Sequence, residues 1–509
     1  MISDVETAVE TSNDRTSKEE LDVEAKTTAT SPDPNVVGWQ ENDPENPLNW
    51  PARRRGSHVV IISFMTLTVN LAATMFAPAA ADLAKDFAIT NSTVVTLAVS
   101  IYMLGFSIGP LLIAPLSELH GRYWIYNICN LCTLAMTIGC AAAPNLGGFL
   151  ACRFLAGAAG SAPVTIGGGT IADVTTPDNR AKAMSGFALG PLLGPVLGPI
   201  AGGFIGADLG WRWTLWILAI LSGANGVICI LFMRETYAPV ILARRAAQIR
   251  KETGKHDLRP AGATSIKTST LILRTSTKAI TMLFTNPIVF LLSLFNAFSF
   301  GLMFLLFTTF PKVFVGQYNF GTGISGLSYL GLGMGMFIGL VLFGTSDKML
   351  RNLKNGPFRP ETRLMMTMYT TPLLAVGLFW YGWAAEEKVH WIVPIIGTSF
   401  IGFGIFFIMV SQSEPNEISP VHNSNLDLAQ MPSQLYVVDV FGAQGAASAL
   451  AALAVFRCMF AAFLPLAGPP MYDDLGLGWG NSVLGFLAVA FIPVPIFFYK
   501  FGERLRNKN

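Results

Sequence analysis

Charge is scarce in this chain. Of its 509 residues only 13% are Asp, Glu, Lys or Arg, roughly half the share of an average soluble domain. A soluble protein of this length needs more charge to cover its surface, so that class is excluded. Net charge is scarce too, at +2, and leaves no basic footprint for nucleic acid. No phosphate-binding G-x4-G-K-[ST] run occurs. The nearest string, Gly321 to Gly326, continues Leu327-Ser328 and lacks the lysine that reaches a nucleotide phosphate. There is no H-E-x-x-H, and the five histidines (His58, His120, His256, His390, His422) are scattered in or beside polar stretches. ATP drive and metal-assisted hydrolysis therefore have no residues to carry them, and no enzyme, resident metal or cofactor is expected. The six cysteines (Cys129, Cys132, Cys140, Cys152, Cys229, Cys458) all lie in apolar stretches. They indicate no disulfide framework, and Cys129-x-x-Cys132 reads as small apolar residues in a lipid-embedded helix.

Apolar side chains are what the chain has in quantity. Hydrophobic residues make up 52% of it, with 49 Gly and 36 Phe, and the mean hydropathy is +0.49. The lipid bilayer is its expected surroundings. A bilayer core takes about 20 apolar residues per helix. That ruler gives spans near 58–80, 93–114, 123–143, 147–171, 181–206 and 212–233. A polar stretch, 234–286, separates them from a second set near 287–310, 324–344, 364–384, 391–410, 440–468 and 480–500. The reading is all-α: twelve transmembrane helices as two six-helix halves, 58–233 and 287–500, joined by a cytosolic loop.

The small net charge hides an asymmetry. Twelve acids and three bases precede Arg53, leaving 31 bases and 20 acids from Arg53 onward. Residues 1–57 have few large apolar side chains and are expected to form a disordered acidic tail. No apolar run follows Met1, so the first span is expected to serve as its own targeting signal. With the N-terminus in the cytosol, inner segments hold 25 Lys and Arg, among them Arg53, Arg180, Arg244, Lys348 and Arg504, and outer loops hold four. Both termini, including the tail 501–509, are therefore expected in the cytosol. Two halves around a cytosolic middle loop is the pattern of secondary transporters, whose substrate site lies at the midplane between halves. Asn70 and Asn296 stand near the middles of spans 1 and 7. Each either lines that cavity or bonds a neighbouring helix.

Span 5 is the most informative stretch. Gly186, Gly190, Gly194, Gly198, Gly202 and Gly206 recur every fourth residue, with Pro191, Pro195 and Pro199 alongside. Spacing of four puts the glycines on one slowly drifting face that a partner helix can approach to backbone contact. The segment Gly194-x3-Gly198-Pro199-x2-Gly202-Gly203 resembles the antiporter motif in span 5 of the major facilitator superfamily, found in its twelve-span drug:proton antiporters. The longer motif has a further glycine where this chain has Ser185, with Gly186 next door. The resemblance implies export driven by the proton gradient, with this face closing the halves against leak.

Other segments agree. PLSELHGRY (115–123) is similar to the superfamily's loop motif after span 2, with Glu118, Gly121 and Arg122 at its acid, glycine and arginine positions. It departs from the motif at Leu119 and Tyr123, where bases are usual. Arg122 is expected to pair with Asp173 at the cytosolic end of span 4, a latch broken when the halves rock. Arg153 and Gly157 in span 4 resemble the family's R-x-x-x-G motif, whose arginine is implicated in proton coupling. A guanidinium releases no proton at useful pH, so its role would be to tune a neighbour. Arg457 in span 11 is the other intramembrane base, either structurally paired or functional. DPENPLNW (43–50), RETYAPVIL (234–242), RPETRL (359–364) and YVVDVFGAQGAASALAALAVFR (436–457) match the fungal and yeast branch of the family.

For the substrate, span 7 carries Phe300 and Phe304 on one face of a phenylalanine-rich helix. An aromatic wall suits large apolar or cationic organic molecules, although phenylalanine in a span more commonly faces lipid. No acid stands mid-span except Asp439, near the inner end of span 11, which weakens the case for polyamines. Residues 411–430 interrupt the resemblance. Codons 410–430 form an in-frame block of 21 in which GTAAGT, CTAAC and a terminal CAG can all be encoded. A retained intron and a tolerated loop insertion both account for it; a transcript that keeps these codons excludes the intron.

The expectation is a proton-coupled exporter of drugs, toxins or secondary metabolites in a fungal plasma membrane, the vacuolar membrane being the other candidate. Its partners would be a small-molecule substrate and protons, with no obligate protein partner. Proton-coupled uptake, facilitated diffusion, polyamine export and ligand sensing without flux are the alternatives.

Overall fold

The computed structural model describes residues 35–40, 42–254, 256–260, 277, 280–281, 283–353, 364–410, 435–497 and 500. Nine described segments are long and apolar enough to cross a bilayer. They include α1 (Ala52–Asp86), α2 (Ser92–His120), α3 (Arg122–Ala141), α4 (Leu146–Val174), α5 (Pro177–Leu209) and α6 (Trp211–Phe232) in the first half. In the second half are α7 (Pro287–Gly316) and α8 (Thr322–Leu342). The helices α9 (Leu364–Glu386) and α10 (Ile392–Val410) follow. The last helix, Leu435–Phe491, supplies two spans, α11 before Gly476 and α12 after it. Gly476 has φ +74°, and the Tyr472 hydroxyl donates to Asn481 Oδ1 at 3.1 Å. Nine residues of straight helix rise about 13.5 Å, so the chain doubles back there. Glu386 Oε2 accepts the freed amides of Leu477 and Gly478 at 2.7 and 3.2 Å, capping the new helix. Twelve spans in two halves result.

The helices start and stop where the local chemistry requires. Asn91 and Asn145 accept the amides of Thr93 and Gly148 at the beginnings of α2 and α4. Gly121 and Gly210, with φ near +90°, separate α2 from α3 and α5 from α6, in a conformation that a Cβ resists. Lipid is as apolar as leucine, so spans associate through close packing of small residues. A Cβ on Gly105 would run into the Phe154 carbonyl and one on Gly157 into the Tyr102 carbonyl, so α2 and α4 meet backbone to backbone. The halves meet where α2 packs on the α11–α12 pair and where α5 packs on α8.

A small second unit comprises residues up to Asn46 together with Ala238–Ser265. In it β1 (Val36–Val37) pairs in parallel with β2 (Arg259–Pro260), and Arg259 N donates to Asn35 O at 2.7 Å. The Asp43 carboxylate, 4% exposed, is paired with Arg245 and accepts the Glu45 amide at 3.0 Å. Burial raises the Asp43 pKa, but the Arg245 and backbone donors outweigh it and hold the carboxyl below its ordinary range. The expectation of disorder over 1–57 is thus corrected for the described residues 35–40 and 42–57, because that carboxylate gives the segment a fixed anchor. The 234–286 stretch is not wholly loop either: Ala238–Thr253 is helical. Residues 1–34, 354–363 and the 411–430 segment lie outside the described residues, as do the side chains of Ser185 and Asp439.

Candidate functional site

A cluster of charge closes one rim of the first half. Arg122 Nε lies 2.5 Å from Asp173 Oδ2, and its terminal nitrogens reach Asp173 Oδ1 at 3.3 Å and the Ile166 carbonyl at 3.2 Å. Its guanidinium also stands over the Tyr237 ring at 5.3 Å. Glu235 forms the hub. Its Oε1 accepts the amides of Arg122, Thr236 and Tyr237 at 2.9, 3.1 and 3.0 Å, and its Oε2 accepts that of Tyr123 at 3.3 Å. Thr236 Oγ1 adds a bond to Asp173 Oδ2 at 3.3 Å. Gly121 is required here, since a Cβ would collide with the Glu235 carboxylate.

The expected pair of Arg122 and Asp173 is brought together, while Glu118 is exposed and joins none of these bonds. Glu235 takes the place expected of it. Sequence reasoning had quoted Glu235 only as part of a matching flank; four amides converging on one carboxylate are invisible in spacing. Every partner belongs to α2, α3, α4 or the segment after α6. The pair therefore lies wholly within the first half.

Arg153 is 2% exposed in α4. It donates to the Ala72 carbonyl at 2.8 Å, and its guanidinium stands 4.9 Å from the Tyr102 ring and 5.4 Å from Phe76. Its Nε has no partner among the described residues. Thus a buried cation is held by one carbonyl and two ring faces, with no carboxylate among the described residues paired to it. Gly157, one turn on, lets the Tyr102 backbone approach and so places the ring under the guanidinium.

The α5 glycine row closes mainly on α1. A Cβ on Gly190 would meet Thr66 and Leu67, on Gly194 Asn70, on Gly198 Thr74, on Gly202 the Met75 carbonyl, and on Gly206 Ala79. The Thr74 hydroxyl donates to the Gly194 carbonyl at 3.1 Å. Only the flank of the row reaches across the halves: Gly203 faces the carbonyls of Thr322 and Gly323, and Gly326 of α8 faces the carbonyl of Pro199. The expectation that the whole face seals half against half is therefore corrected. The glycine row binds α5 to α1, and Pro199 and Gly203 join Val196, Phe204 and Ala207 in the contact with α8.

Asn70, half-buried, donates to its own helix at Thr66 O, 2.8 Å away, with its Cβ against Gly194. Asn296 is 2% exposed on α7. One turn further, Phe300 lies 5.3 Å from Phe304, which lies 5.5 Å from Phe307. Phe295, Phe298, Phe304, Phe307, Phe310 and Phe314 are all buried, so these phenylalanines turn inward and not to lipid. Arg457 of α11 stands 4.8 Å over the Phe300 ring. A separate small cavity in the first half is lined by Thr68, Tyr126, Asn130, Thr133, Ser222 and Asn225 together with apolar residues such as Met65, Val69 and Pro163.

Comparison with known proteins fits this architecture. The family model described as Major Facilitator Superfamily matches residues 62–423. The chain is 50% identical over 486 residues to MFS transporter prlG of a fungal species, covering 95% of this chain and 98% of that one. It is 52% identical over 469 residues to MFS-type transporter MFS19 of Alternaria alternata, covering 92% of each. It is 46% identical over 480 residues to the Trichosetin biosynthesis cluster MFS transporter of Gibberella fujikuroi, covering 94% of this chain and 89% of that one. The partially occluded inward-open xylose transporter XylE from E. coli shares its fold at 16% identity and a TM-score of 0.61, over 88% of this chain and 99% of that one. The twelve-span bundle and these matches together make the chain a small-molecule transporter, not an enzyme: it belongs to the Major Facilitator Superfamily.

Proposed function

We propose that this transporter exports a small organic molecule, a secondary metabolite, in exchange for protons. The observation that carries the reading is the α5 row of Gly194, Gly198, Pro199, Gly202 and Gly203. Packed on α1 and touching α8, it ties α1 and α5 into one wall and sets the inter-half contact at that wall's edge. A relative named for a biosynthesis cluster supports a metabolite cargo. The excess of Lys and Arg in segments on one side supports cytosolic termini, and the plasma membrane is the proposed location. The halves rock about the α2–α11 and α5–α8 contacts, while the Glu235 cluster and the Arg153 site keep the first half rigid. No acid paired with Arg153 or Arg457 is present among the described residues, so Asp439 is the first residue to test as the proton carrier.

The test is efflux from a pump-deficient yeast expressing the chain, using hydrophobic dyes and fungicides with and without a protonophore. Efflux that collapses when the gradient is dissipated, and that Asp439→Asn uncouples, is the expected result. Accumulation inside cells driven by an imposed pH gradient would replace export with uptake. Trapping in vacuoles would move the site of action to that membrane.

A further inference from the structure

The inward-turned aromatic face of α7 ends at a positive charge. Arg457 lies near the middle of α11, 4.8 Å over Phe300, and is half-buried, with its Nε unpartnered among the described residues. None of the ion pairs among the described residues involves it. Asp439 precedes it on the same helix by 18 residues, about 27 Å of rise. A charged side chain at this depth almost always faces the bundle interior or a water-filled cavity, because exposure to lipid is costly. On the same face of α7, one turn before Phe300, stands Asn296, and Ser293 just before it has a buried hydroxyl with no partner among the described residues. Beyond Phe300 the row of rings closes into the core, where Phe304 and Phe307 are buried and Phe307 packs on Tyr329.

From this juxtaposition we infer that Arg457, seated on Phe300, is the head-group site for a lipophilic organic anion whose apolar body lies beside the half-buried Phe300 ring. A guanidinium beside a Cys458 thiol, with no ion-pair partner among the described residues, gains from an anionic partner and repels a cation. A cationic cargo would also have to displace Arg457 from the Phe300 ring that it already covers. The inference thus reverses the cationic alternative that aromatic composition alone left open. It rests on the transport reading only in taking the interior as the substrate path, and binding is measured without transport, so the two fail separately.

The experiment uses full-length purified protein and two fluorescent probes differing only in charge, 11-dansylaminoundecanoic acid and its methyl ester. Wild type is expected to bind the acid about tenfold or more tightly than the ester, the strength of a charge-assisted hydrogen bond. Arg457→Gln, checked for an unchanged melting profile, is expected to bring the two within about twofold, and Arg457→Lys to retain the preference. Equal binding of acid and ester by wild type overturns the inference whatever the variants do, and so does a full acid preference in Arg457→Gln.

Discussion

Three glycines of one row, Gly186, Gly206 and Gly202, give a graded test of how α5 meets α1. Each is changed to alanine, adding one methyl group to a different amount of space. At Gly186 nothing lies within 4 Å of the new Cβ. Its only effect is the modest helix preference of alanine over glycine, at most about 1 kcal/mol in favour. At Gly206 the Cβ would come 3.0 Å from the Ala79 methyl, a neighbour that yields by a few tenths of an ångström, so the cost should be small. At Gly202 it would coincide with the backbone carbonyl of Met75, which cannot rotate away without moving α1. Overpacking of that kind costs about 1–3 kcal/mol. The assay is a thermal melt of detergent-solubilised protein, read as rank order since unfolding of such a protein is not two-state, alongside efflux at equal surface abundance. The expected order is Gly186→Ala at or above wild type, Gly206→Ala slightly below, and Gly202→Ala lowest in both stability and efflux. A Gly202→Ala protein that melts and transports like wild type refutes backbone contact at this position. Three equal losses would refute the graded geometry.

Glu235→Gln places an NH2 against amide donors in the rim cluster; we expect a loss of about 1–3 kcal/mol, seen as a lower melting temperature and faster trypsin cleavage after α6. Gly476→Ala forces a Cβ into the left-handed conformation that turns α11 into α12, at about 1–2 kcal/mol, and should lower the melting temperature while Gly186→Ala does not. The Asp43 carboxyl is held below its ordinary pKa, so its contribution is present above about pH 4 and is lost as pH falls through the lowered folded value. Protease protection of the segment around Asp43 should therefore hold from pH 7 to about pH 5, and Asp43→Asn should remove it at neutral pH.

The spans were legible because hydropathy fixes length, and length fixes how many times the chain crosses. Rotation about each helix axis was not, because in lipid both faces of a span are apolar and the sequence carries little phase signal. That is why Phe304 and Phe307 gave no sign in sequence of turning inward, and why the Gly202 face could not be assigned to α1 over α8. Charge was partly legible. Asp173 could be paired with Arg122 because both sit at span ends on one side, where few partners exist. Glu118 is exposed and feels Arg122 through charge alone, which the motif could not tell, since it names residue types and not their exposure. Tyr102 beneath Arg153 and Glu235 beneath Gly121 were missed for a shared reason: each contact joins positions far apart in the chain through a backbone approach that only three dimensions reveal. RETYAPVIL was noticed as a string; its physical content is one carboxylate gathering four amides.

The rim cluster also bears on how the protein is made. Arg122, Asp173, Glu235, Thr236 and Tyr237 have all been synthesised before α7 begins at Pro287, and none of them needs a residue of the second half. Chains fold from the N-terminal domain as they emerge. The first six helices can therefore complete their own charge pairing while the ribosome is still translating the linker. A lesion in Glu235 should accordingly appear as early degradation of a half-made chain, whereas a lesion at Gly203, whose partners lie in α8, should appear only after the second half has entered the membrane.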